Sequence, residues 1–427
     1  MRISWVLKRL ALFMLCITFF VVIYDSQQTL FFEGNKLFKF SSGHYSDGLS
    51  SVSKRQVFSV DCKKIIEGDK SEIKKAQDRQ KEKPHRISDK EFISLTKDCK
   101  TFRGSRLYDS IPVSKEELEF PLAFSILLYK EVDQAERLLR AIYRPQNVYC
   151  FHVDGNSPEV VHSGIKAIAN CFDNVFVVSS TVDVIYGGYS RLQADLNCMK
   201  DLVLHKVKWK YFINLPSQQF PLKTNAEMVK ILKIYNGAND IEGITEERRM
   251  MKSRYKYVYN TKTGAKTSKK KSTPPHNIKV VKGSAYGVFS CDFVKFILND
   301  QRAKDFLGWT KDISSPDEYF WATLNHNEHL KAPGSYSGVP DKKPWLAVYA
   351  AWGGRDRCHG KFVRSVCIFG VGDLPELASK KELFANKFYL DYQPLALDCL
   401  EEWLFNKTLN PMPFETFYYS QLPFVIK

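Results

Sequence analysis

The sequence predicts an α/β domain organised on a parallel sheet and carried behind a membrane anchor and a stem. From Phe120 onward, short apolar runs alternate with amphipathic stretches of helical length, the pattern of strands buried on both faces and of the helices that cover them. Near the N-terminus, Leu10 to Tyr24 is apolar throughout apart from Thr18. The third observation is a set of nine cysteines outside that run, at Cys62, Cys99, Cys150, Cys171, Cys198, Cys291, Cys358, Cys367 and Cys399, none in a CxxC pair. Such spacing is a poor zinc site. Behind a membrane signal it reads as disulfides in an oxidising lumen, with one thiol left over.

A chain of 427 residues allows two or three ordinary domains, or one large α/β domain with appendages. The net charge of +16 is spread along the chain, with no finger, homeodomain or RNA-binding signature. Anionic ligands, sugar nucleotides or glycans are therefore favoured over nucleic acid.

Residues 1–9 hold Arg2, Lys8 and Arg9 and read as a cytosolic tail. The apolar run 10–24 is either a cleavable signal peptide or a short signal-anchor. Asp25-Ser26-Gln27-Gln28 offers no Ala-x-Ala cleavage site, which favours the anchor and places the body in the lumen. So short a span suits the thinner membranes of the early secretory pathway. Residues 25–118 are polar and patchy, with a charged run from Lys63 to Lys90, and read as a lumenal stem. Gly43 to Ser53 is its expected flexible tether, while Cys62 and Cys99 suggest that its C-terminal half is stapled to the domain.

The domain then occupies 119–427. Phe124 to Leu128 reads as its first strand, followed by a helix over Val132 to Tyr143 that Pro145 ends. Val148 to Val153 is the second strand, with His152 and Asp154 at its carboxyl edge, where ligands of open α/β sheets bind. A helix over Glu159 to Phe172, a strand over Val175 to Val178, a helix over Ser190 to His205 and an extended run over Tyr211 to Leu215 follow. Thr224-Asn225-Ala226-Glu227 is a capping box that opens a helix closed by Gly237. Ile241 to Lys271 differs in kind: it is rich in charge and lacks a sustained apolar period, so it is either a solvated excursion or a loop that contacts a ligand. Regular structure resumes with Ile278 to Val281, and a helix spans Cys291 to Leu298.

Ser314-Ser315-Pro316-Asp317-Glu318 sets two adjacent carboxylates at the start of an aromatic helix. Local pattern makes it a capping box, with Ser315 as N-cap, Pro316 at the first helical position and Glu318 three residues after the cap. The alternative is that Glu318 is a catalytic base.

Several runs decide between these readings. Leu138 to Tyr143, Pro145 to Cys150, Arg191 to Cys198, Gly283 to Tyr286, Ser315 to Glu318, Arg364 to Cys367 and Leu383 to Phe388 together resemble, in order, the core 2 / I-branching β-1,6-N-acetylglucosaminyltransferases of glycosyltransferase family 14. The resemblance covers about two thirds of the chain. It implies a type II Golgi membrane enzyme with a GT-A-like, Rossmann-like domain, which transfers GlcNAc from UDP-GlcNAc with inversion to a 6-hydroxyl. An inverting displacement needs one carboxylate to take the proton of the attacking hydroxyl, and Glu318 matches that base. No two aspartates stand two positions apart, so the metal-binding Asp-x-Asp of most GT-A enzymes is missing. The family instead uses an Arg and a Lys at the positions of Arg364 and Lys387, and no divalent metal. Asp154 resembles the contact to the uridine side of the donor. Glu242, Arg248 and Trp352 match acceptor-binding positions.

The resemblance also implies disulfides Cys62–Cys399, Cys99–Cys171, Cys150–Cys198 and Cys358–Cys367, with Cys291 free. Asn406-Lys407-Thr408 is an N-glycosylation sequon expected in an exposed tail. The favoured acceptor is core 1 on glycoproteins. I-type branching of polylactosamine and peptide xylosyl transfer are the enzymatic alternatives. Pro216-Ser217-Gln218-Gln219 departs from the family's Cys-Gly-x-Asp, Thr245 stands where the best-known member has a lysine, and Gly354 replaces an aromatic. These changes motivate a third reading, a glycan-binding protein of the Golgi that keeps the fold without turnover.

Overall fold

The computed structural model describes residues 57–79 and 86–425. The expected tail, anchor and tether lie outside the described residues. Among the described residues no helix is long and apolar enough to cross a membrane.

The strands, in chain order, are β1 (Leu122–Leu128), β2 (Val148–Val153), β3 (Val175–Val177), β4 (Tyr211–Pro216), β5 (Gln219–Pro221), β6 (Asp240–Ile241), β7 (Tyr257–Tyr259), β8 (Lys266–Lys270), β9 (Gly287–Ser290), β10 (Val348–Tyr349), β11 (Lys361–Val363), β12 (Val366–Ile368) and β13 (Phe384–Asn386). Six of them form the central sheet in the order β3-β2-β1-β4-β9-β6. β1 pairs in parallel with both β2 and β4, and β2 with β3. β9 runs antiparallel to β4 and β6, so the sheet is mixed where a parallel one was expected. The order reverses direction between β1 and β4, which opens the crevice in which such sheets bind ligands.

Burial on both faces explains the apolar runs. Alternate residues of β1, namely Leu122, Phe124, Ile126 and Leu128, join one core with Leu138 and Leu139 of the helix Val132–Ile142. Ala123 turns to a second core built with Leu192, Leu196, Phe289, Phe293 and the aromatic helix Asp317–Asn325. The Thr224–Glu227 capping box forms as expected, but Asn236 in the left-handed region, one residue before Gly237, closes that helix.

Among its described residues, the segment expected as stem carries five short helices, from Cys62–Ile66 to Lys115–Leu118, and packs on the same body. Phe92, Phe102 and Tyr108 enter the first core, while Val60, Cys62 and Ile65 pack with Leu397 and Leu400 of the helix Pro394–Leu409. All four expected disulfides are present and, among the described residues, Cys291 is the free thiol. An ion pair reinforces the junction, Arg106 holding the buried Glu136 at 3.1 Å, while within the domain Arg137 bridges Asp398 and Glu401 at 2.6 and 2.7 Å. Asn406 sits near the end of the helix Pro394–Leu409, half-buried with its Oδ1 shielded, rather than in an exposed tail.

Candidate active site

The cleft is built outside the carboxyl ends of β1, β2 and β4. Asp154, the first residue after β2, accepts the Val184 N–H at 3.0 Å and the Asn156 N–H at 3.1 Å on Oδ1. His152 is buried and accepts the Val182 N–H on Nε2 at 3.2 Å, and burial holds its pKa below the usual histidine value. Together these side chains pin the loop that leads from β3 to the helix Tyr189–Leu204. That loop carries Tyr186, whose ring is 85% exposed.

Arg364 and Ser365 form a two-residue turn between the antiparallel strands β11 and β12, both at positive φ (50° and 63°) as such hairpins require. The turn projects the Arg364 guanidinium to 5.1 Å from the centre of the Tyr186 ring. Lys387 follows β13, and its backbone is tied to the same hairpin: Phe369 N–H donates to Lys387 O at 3.0 Å and Lys387 N–H to Cys367 O at 3.4 Å. The Lys387 ammonium lies 5.1 Å from the Tyr389 ring centre. Trp352 bridges Val366 of the hairpin, and Gly353 N–H donates to Ser365 O at 2.8 Å. Trp352, 45% exposed, is thereby joined through its backbone to the hairpin that carries Arg364. Lys387 flanks the segment Pro216–Gln219, since Asn386 pairs with Gln219 and Phe388 N–H donates to Gln218 O at 2.9 Å.

Glu318 reaches this cleft by a tertiary contact that displaces the local cap. Ser315 N–H donates to Gly187 O at 2.7 Å, one residue from Tyr186, and Ser315 takes φ 52°. Pro316 becomes the N-cap and no side chain caps the helix Asp317–Asn325, so the expected capping box is not formed. The carboxylate of Glu318 instead receives Arg254 at 2.9 Å and Lys282 at 3.2 Å. Asp317 beside it points inward. Burial pushes its carboxyl up to about 6, with Glu318 and Asp195 adding to the rise and Arg191 opposing it. Arg191 itself holds Asp195 at 2.7 Å.

Glu242 follows β6 and shares this electrostatic environment. Burial raises its pKa, Lys282, Arg249 and Arg355 draw it back, and the Glu318 charge adds to the rise. Arg249 lies 3.9 Å away. Arg248 is exposed, and its neighbour makes the contact with Glu242. The excursion 241–271 is thus partly what each reading proposed. Its hairpin β7–β8 is mostly solvated, while Met250 is buried and Arg254 enters the cleft. Run by periodicity alone, neither Arg254 nor Lys282 stands out. Lys282 is flagged only by preceding Gly283-Ser284-Ala285-Tyr286, and Arg254 by nothing in its charged surroundings.

The arrangement is a carboxylate on one wall of a crevice and two cations with aromatic neighbours on the other, all at the switch point of a mixed α/β sheet. That fits the class of GT-A-like glycosyltransferase domains. Residues 122–378 match the family profile described as Core-2/I-Branching enzyme. The human β-1,3-galactosyl-O-glycosyl-glycoprotein β-1,6-N-acetylglucosaminyltransferase 3 is 39% identical over 372 residues, 82% of this chain and 84% of that protein. Its sheep (Ovis aries) counterpart is 40% identical over 82% of this chain and 83% of its own length. A β-1,3-galactosyl-O-glycosyl-glycoprotein β-1,6-N-acetylglucosaminyltransferase of Bovine herpesvirus 4 (strain LVR140) is 38% identical over 87% and 88%. The chain belongs to the Core-2/I-Branching enzyme family.

Proposed function

We propose that this protein is an inverting β-1,6-N-acetylglucosaminyltransferase that moves GlcNAc from UDP-GlcNAc to the GalNAc of core 1 O-glycans, Gal-β1,3-GalNAc-Ser/Thr, and forms core 2 branches. The observation that carries this reading is the continuity of the cleft: Glu318 is joined through Ser315 and Gly187 to the loop whose Tyr186 faces Arg364. The activities for which the relatives are named support the acceptor and the linkage.

In the proposed step, Glu318 takes the proton of the acceptor 6-hydroxyl while that oxygen forms a bond to the anomeric carbon. The bond from the anomeric carbon to the UDP oxygen breaks, and its electron pair leaves on the β-phosphate. Arg364 and Lys387 meet that growing charge with permanent cations, the role a divalent metal plays elsewhere. Asp154 holds the loop on the uridine side. Trp352 offers an apolar platform to a sugar face, and Glu242 and Arg248 bind acceptor hydroxyls. The protein is further proposed to sit in the Golgi membrane by an N-terminal signal-anchor, with residues 119–427 lumenal and Asn406 glycosylated.

The test is UDP release from UDP-GlcNAc in EDTA, with and without core 1 disaccharide, with the linkage of the product determined. Acceptor-dependent release of UDP and a β-1,6 product are expected. Release only with polylactosamine would support I-type branching. Core 1 binding without release would support a glycan-binding protein.

A further inference from the structure

Two carboxylates, Glu318 and Glu242, face one cleft from different segments. One segment lies between them. Ile244 and Lys282 exchange backbone hydrogen bonds, Ile244 N–H to Lys282 O at 2.7 Å and Lys282 N–H to Ile244 O at 3.1 Å. On the other side Gly283 N–H donates to Glu318 O at 2.7 Å. The fit is close enough to exclude a side chain at Gly283, where a Cβ would fall 2.3 Å from Glu242 O and 2.9 Å from the Ala322 Cβ. The backbone at 282–283 is therefore wedged between the strand end that bears Glu242 and the helix that bears Glu318. Its cation is well covered, 13% exposed against 29% for Glu318, and lies 3.2 Å from the Glu318 carboxylate.

We propose that Lys282 is a positioning residue that keeps the base Glu318 and the acceptor-binding Glu242 ionised side by side, so that one can take a proton while the other accepts acceptor hydroxyls. The inference rests on the functional reading given above. Other charges face the pair from each neighbouring element: Asp317 from the same helix, Arg254 from the short helix Ser253–Lys256, Arg249 from the loop after β6 and Arg355 from the loop after Trp352. Arg254 is engaged with Glu318 and Arg249 with Glu242, at 2.9 and 3.9 Å. Lys282 is the cation whose backbone is clamped to both carboxylate-bearing segments.

The experiment is the pH profile of kcat/KM for core 1 in the wild type, Lys282→Met and Lys282→Arg, with Glu318→Gln alongside. For Lys282→Met the acid limb moves up by about one pH unit, so the loss is about tenfold on the acid side and shrinks as pH rises. Lys282→Arg returns the limb to the wild-type position. Core 1 binding by Lys282→Met, titrated calorimetrically over the same range, weakens on the acid side in parallel and serves where turnover is too low to follow. An unmoved limb in Lys282→Met, or an equal loss at every pH that Lys282→Arg does not recover, overturns the inference and leaves the functional reading standing. Full turnover by Glu318→Gln, or no acceptor-dependent turnover in the wild type, overturns the functional reading and the inference with it.

Discussion

The two walls of the cleft are built in different ways. On the wall of Arg364 and Lys387 each cation sits at the end of a short strand, and backbone bonds between residues 367, 369 and 387 hold both in one small hairpin assembly. On the wall of Glu318 the carboxylate is met by Arg254, 64 residues earlier in sequence, and by Lys282 from a segment without regular structure. The first wall presents fixed positive charge with little need of other side chains. The second is a balance of charges whose members come from five separate segments, those of Glu318, Arg254, Lys282, Glu242 with Arg249, and Arg355. On the proposed function, the contrast teaches that cations meant for a departing diphosphate can be fixed by the backbone, whereas a proposed base depends on neighbouring side chains to orient it.

The largest expected effect tests the base. Glu318→Gln keeps the shape and removes the proton acceptor, so kcat falls by about 10²- to 10⁴-fold while UDP affinity measured by calorimetry is retained. Next come the cations: Arg364→Met and Lys387→Met each lower kcat by about 10²- to 10³-fold, and unlike the base variant they also weaken UDP binding. A base variant that lost UDP binding, or a cation variant that kept it, would dissolve the distinction between the walls. Smaller is the effect of Trp352→Ala, which removes a sugar platform worth about 1 kcal/mol and raises the acceptor KM several-fold with kcat changed less.

An effect outside catalysis lies in stability and sharpens the picture of the Glu318 wall. Asp317 has its pKa raised to about 6 in the fold, first by burial, so it favours the unfolded chain at neutral pH. As pH falls through 6 toward 4 the folded state takes up the proton first and that penalty fades. Asp317→Asn should therefore melt higher than the wild type near pH 7, by up to about 3 kcal/mol of stability, and lose the advantage near pH 4. Thermal denaturation at the two pH values checks it.

Much of the scaffold was legible because it depends on local pattern. β2 occupies Val148–Val153 as its apolar run indicates, and the Thr224–Glu227 box caps its helix. The packed character of residues 57–79 and 86–118 was harder to read, since Phe92, Phe102 and Tyr108 are scattered in a charged stretch and show no period until the core they enter is known. The fate of Ser315 was not legible either, because a bond to Gly187 from a remote loop outweighs a side-chain cap of about 1 kcal/mol.

By itself the sequence determined the α/β class, the strands and helices of the sheet, and, through its family resemblance, the cysteine pairs and the candidates Glu318, Arg364 and Lys387. Only the tertiary structure decided that Glu318 leaves its capping role, that Arg254 and Lys282 stand against it, and that the expected stem shares the core. The reason is physical: strand and helix formation follow periodicities that neighbours in sequence carry, whereas a charge feels whatever lies within a few ångströms, and those neighbours are brought there by the fold alone.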